Sequence, residues 1–60
     1  MVELTRQLRE RVAEARRSLV EARLASDDYL VDVRLGELDE LGRLARENGI
    51  VIPGLESYAA

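Results

Sequence analysis

The residues of this chain best suited to chemistry are Arg34 and Glu37, an arginine and a carboxylate three positions apart. On a helix that spacing sets them one turn apart and within reach of each other. Arg34 falls near the centre of an apolar arc, where its planar guanidinium has two uses. The favoured one is an internal ion pair with Glu37, or a stem lying on apolar surface with its head in water. The sharper one is capture of a carboxylate or phosphate on a partner or ligand, by Arg34 of one or both subunits of a dimer. Arg9, Arg16 and Arg23 recur every seven residues, with Arg6 and Arg17 nearby, and form a second set of candidate anion or partner contacts. A row of that kind can follow a phosphate backbone. Glutamates interrupt it, however, and no aromatic side chain shares the segment for base stacking, which disfavours nucleic acid.

Catalysis has little to work with. The chain contains no His, Cys or Lys, which removes the commonest bases, nucleophiles and Schiff-base formers, and Ser18, Ser26 and Ser57 lack an activating neighbour. Asp27 and Asp28 resemble a catalytic or metal pair only in isolation, because as helix-capping residues they are already explained. Glu37, Asp39 and Glu40 are close in sequence, yet neighbouring helical positions point in different directions, and no Glu-x-x-His pattern is present, so they read as a solvated face. The glycine spacing of Gly49 to Gly54 is reminiscent of a phosphate loop, yet the following Lys-Ser/Thr is missing and the segment ends a helix instead of beginning one. The expectation is a protein that is not an enzyme and uses no cofactor or metal.

Two helical patterns must position these residues. Leu8, Val12, Ala15, Leu19, Ala22 and Ser26 recur at spacings of four and three, a heptad-like coiled-coil seam that predicts a helix over about 3–25. Ala25-Ser26-Asp27-Asp28 then predicts a turn at 26–28, with Ser26 or Asp27 as N-cap and Asp28 in the first turn of a second helix. Tyr29, Val31, Val33 and Leu35 alternate with Leu30, Asp32 and Arg34 as in a β-strand. The longer window decides for a helix over about 28–48. Leu30, Val31, Val33, Leu35, Leu38, Leu41, Leu44 and Ala45 fall within an arc of about 200° at helical spacing. Gly36 and Gly42 weaken that helix by up to about 1 kcal/mol each relative to Ala, and are expected to permit close helix approach. Asn48-Gly49-Ile50 supplies a left-handed stop with an apolar residue to pack back on the last turn. Residues 1–50 thus read as a helical hairpin and 51–60 as an extended C-terminal tail that frays unless docked.

Composition points to association. A chain of 60 residues buries only about 60% of the surface it exposes when unfolded, and without Cys or His it has neither disulfides nor an obvious structural metal to reinforce it. Ten Leu, six Val and two Ile, with no Phe or Trp, suit helix packing. Residues 1–25 hold six Arg against four Glu, and residues 26–60 three Arg against eight acids, so the two halves attract when folded back. The antiparallel register sets Ala15 against Leu38, Ala22 against Val31 and Leu8 against Ala45, with Arg16 near Glu37 and Arg9 near Glu47.

The expected fold is all-α, an antiparallel two-helix hairpin that dimerises into a four-helix bundle, because the second helix has more apolar surface than one neighbour covers. Leu8, Val12, Val20, Leu24, Leu30, Val33, Leu38, Leu41 and Leu44 are the candidate interface residues. The expected function is a self-associating regulatory or adaptor module that binds a partner protein through an apolar helical face. The alternative is a regulator that binds an anionic small molecule or nucleotide through arginines at the dimer interface. No signal peptide or membrane span is read, and a cytoplasmic homodimer without membrane association is the default.

Overall fold

The computed structural model describes residues 2–55; the stretch 56–60 of the expected tail, with Ser57, lies outside the described residues. Two α-helices account for most of it: α1, Val2–Leu24, and α2, Asp28–Glu47. The ambiguous stretch 29–35 is helical throughout, and no strand occurs among the described residues. Most helical stability in proteins comes from packing of an amphipathic face and not from propensity. What holds these two is the seam that the heptad spacing marks: Leu8, Val12, Ala15, Leu19 and Ala22 of α1 are all buried, as are Leu38, Leu41, Gly42 and Ala45 of α2. Leu38 is the most enclosed. Each buried leucine contributes about 1.5–3 kcal/mol relative to an exposed one. The helices run antiparallel, with Ser18 opposite Arg34.

The reversal between them is built from two caps in succession. Asp27 N–H donates to Ala22 O at 2.9 Å and Ser26 N–H to Arg23 O at 3.1 Å, the paired bonds of a helix terminus whose C′ residue is left-handed. That residue is Ser26, with φ at 55°. Ser26 is therefore not the N-cap. Asp27 takes that role, its carboxylate accepting from Leu30 N–H at 3.1 Å. At the end of α2 the same motif recurs as expected: Gly49 has φ at 66°, its N–H donates to Arg46 O, and Ile50 N–H donates to Ala45 O at 2.8 Å.

The segment after α2 departs from the sequence expectation. Residues 50–55 turn back along the hairpin, Pro53 and Gly54 form a turn, and Ile52 and Leu55 join the core at 7% and 3% exposed. The cause is a groove that the two helices leave open beside Ala45 and Gly42. Leu55 fills it, lying 3.6 Å from where a Cβ on Gly42 would be. The turn is closed by Leu55 N–H donating to Ile52 O at 3.1 Å, and Arg16 Nη2 of α1 donates to Pro53 O at 2.9 Å. Gly42 thus faces this segment, and Gly36 is exposed, with nothing within 4 Å of the place a Cβ would take. Neither glycine brings α1 and α2 together.

Two substitutions test these local readings. Gly36→Ala should stabilise the fold by up to about 1 kcal/mol through helix propensity alone. Ser26→Gly should gain about 1 kcal/mol by relieving a left-handed serine. Urea unfolding of each variant measures the change. A loss of stability in either would contradict the geometry assigned to that position.

Candidate functional site

Arg34 leaves α2 toward α1 and sits at the centre of a small polar cluster. Its Nε donates to Ser18 Oγ at 2.8 Å and its Nη1 to Glu37 Oε1 at 3.0 Å. Arg11, one helix away, lies 4.0 Å from Glu37 Oε2. The side chains of Arg34 and Glu37 are 33% and 31% exposed, so the pair is neither sealed from water nor freely solvated. The expected pairing of Arg16 with Glu37 is replaced by that of Arg11. Arg11 and Ser18, seven residues apart, flank the α1 seam on the side where Arg34 emerges, whereas Arg16 flanks the other side and meets Pro53. Among the described residues no ion pair joins Arg9 to Glu47. Sequence reasoning misses Ser18 and Arg11 as partners; their seven-residue spacing beside the seam is the signal that could have found them.

The nine apolar candidates separate into three groups. Leu8, Val12, Leu38 and Leu41 are buried inside the single hairpin, so they are already covered by the chain itself. Leu30 and Leu44 are half-buried. Val20, Leu24 and Val33 are exposed at 54%, 82% and 40%, and Tyr29 at 80% joins them. Val20 and Leu24 stand one turn apart on α1, and Tyr29 and Val33 one turn apart on α2. All four lie close to the reversal at Ala25–Asp27.

Among the charged residues, Arg9 and Arg23 are exposed and Arg16 is half-buried. The remaining ion pairs are short-range surface contacts within a helix: Arg6 with Glu3 and Glu10, Arg17 with Glu14, and Arg43 with Glu40. The hydrogen bond to Glu40, then the charges of Glu40 and Glu47, raise the Arg43 pKa above its ordinary value. Exposed pairs of this kind add little to stability. No charged or polar side chain among the described residues is fully buried. A small apolar cavity of about 140 Å³ lies between α2 and the returning segment, lined by Gly42, Ala45, Arg46, Ile50, Val51, Ile52 and Leu55.

No helix among the described residues is long and apolar enough to cross a membrane. In comparison with known proteins, no family model, no curated protein and no solved structure matches this chain.

Arg34→Leu tests what the polar cluster contributes. The pair is partly solvated, and a leucine keeps most of the apolar contact, so thermal melts should show a change within about 1 kcal/mol in either direction. Arg34→Ala, which also removes the stem, should cost more, about 1–2 kcal/mol. Unfolding of the leucine variant would show that the ion pair itself holds the hairpin.

Proposed function

We propose that this chain is a small, non-enzymatic interaction module that self-associates and binds a partner protein in a regulatory or adaptor role. The observation that carries this reading is the exposure of large apolar side chains on a protein with so little core. Leu24 and Tyr29, flanking the reversal, are 82% and 80% exposed, with Val20 and Val33 beside them. A single exposed leucine means little, but two apolar pairs among charged neighbours, Val20 with Leu24 on the outer side of α1 and Tyr29 with Val33 on the outer side of α2, offer the kind of surface that meets another protein. Tyrosine is also among the residues enriched at the core of such contacts. Helix-in-groove recognition suits two pairs of side chains with one-turn spacing. A homodimer of hairpins, giving four helices, is the simplest assembly that removes part of this surface from water.

The rival reading, capture of an anionic small molecule by arginines, has weaker support. Arg34 directs Nε and Nη1 to Ser18 and Glu37 within its own chain, which leaves less of its fork for a ligand. Cytoplasmic residence remains part of the proposal and rests on composition alone.

Sedimentation equilibrium over a wide concentration range tests self-association. Dimer is expected at micromolar concentration, and Leu24→Ser combined with Tyr29→Ser should abolish capture of a specific protein partner from the native cell while the helical circular dichroism is kept. A monomer at every concentration, together with identical capture by the variant, would remove the basis of this reading.

A further inference from the structure

We propose that the second copy in the dimer docks on the face carrying residues 50–55, each α1 lying antiparallel to the other copy's α2, with the twofold axis running along the helices. The inference rests on the self-association reading above and specifies its surface. At about 100° per residue, Arg9, Arg16 and Arg23 stand about 60–100° from the buried stripe of α1. Arg16's bond to Pro53 fixes which side that is. By the same geometry Asp28, Asp32 and Asp39 stand about 90–130° from the buried stripe of α2, on the side where Gly42 meets Leu55. The returning segment therefore marks one face of the hairpin, edged with arginine along α1 and with three aspartates along α2, where Arg46 closes the edge at its C-terminal end.

Within one chain these edges diverge. Arg9, Arg23, Asp28, Asp32 and Asp39 form no ion pair among the described residues. A second copy turned half a revolution about an axis parallel to the helices lays an arginine edge on an aspartate edge, and does so twice. The register that sets Ser18 opposite Arg34 would then bring Arg23 beside Asp28, and Arg9 between Asp39 and Arg46, about a turn from each. Val20, 54% exposed, and the half-buried Leu35 lie on this side and supply apolar contact. The opposite face is less suited to pairing with itself: Glu14 and Glu21 border α1 while Glu37 and Glu40 border α2, like charges that repel across an interface, and its arginines, Arg11 and Arg34, are drawn to Glu37 within the chain.

Charge reversal tests the proposal on the full chain. The variants are Arg9→Glu with Arg23→Glu, and Asp28→Arg with Asp39→Arg, each checked for helicity by circular dichroism. Each alone should dimerise about tenfold more weakly or worse by sedimentation, and an equimolar mixture should recover a heterodimer of near wild-type affinity. A wild-type dimer that both variants reproduce unchanged overturns this face while leaving self-association standing. A monomeric wild type overturns both. Should a reversed chain fail to fold, the wild-type dimer decides: weakening of about tenfold between about 50 and about 500 mM salt supports the charged edges, and indifference to salt overturns them.

Discussion

Too little apolar surface can be hidden between two helices of this length, and the chain meets that constraint with a third piece of backbone. The α1 seam is narrow and made partly of alanine, so α1 approaches α2 closely but covers only part of the wider α2 arc. Ile52 and Leu55 cover a further part. They stand among the core side chains on equal terms with Leu8 and Leu41, although no regular element carries Ile52. The left-handed Gly49 makes the return geometrically available, and Ile50, whose N–H reaches back to Ala45, starts it in the right direction. With that flank occupied, α2 is left uncovered on its outer side near the chain reversal, where Tyr29 and Val33 are found.

The polar residues divide along the same lines. On the flank without the returning segment, Arg34 bridges the helices through Ser18, and Glu37, which it also holds, reaches Arg11 of α1, which fixes register at a place where purely apolar contact would allow sliding. On the other flank Arg16 is directed to a backbone carbonyl, while its neighbours in the seven-residue row keep their charge in water. One repeating pattern in the sequence thus serves two purposes, because position along the row decides whether the returning backbone is within reach. Exposed charge that meets nothing in its own chain is consistent with a surface arranged for a second molecule.

Much of the fold is legible in the sequence because helical periodicity and capping are local. The heptad spacing identifies every buried residue of α1, and the window from Leu30 to Ala45 outweighs the strand-like alternation at its start. The glycine stop at Gly49 is likewise decided by residues adjacent in the chain. Ser26 is harder: serine favours N-caps, and only the preceding helix's need for a left-handed terminus moves it one position out. The docking of Ile52 and Leu55 is not legible, since it depends on a groove formed by residues some ten to forty positions away. The same holds for the polar cluster. Sequence spacing shows that Arg34 and Glu37 are neighbours, but which α1 side chain meets them depends on the rotation of one helix against the other.

The central claim is that the hairpin needs the segment after Gly49 to complete its core. Hydrogen exchange on the full chain and on a chain ending at Gly49 tests this most directly. Amides at Leu19, Leu38 and Leu41 should be protected by the global stability in the full chain and should lose most of that protection in the shortened one. Equal protection in the two chains would mean that two helices suffice, and that the returning segment rests on a core already complete.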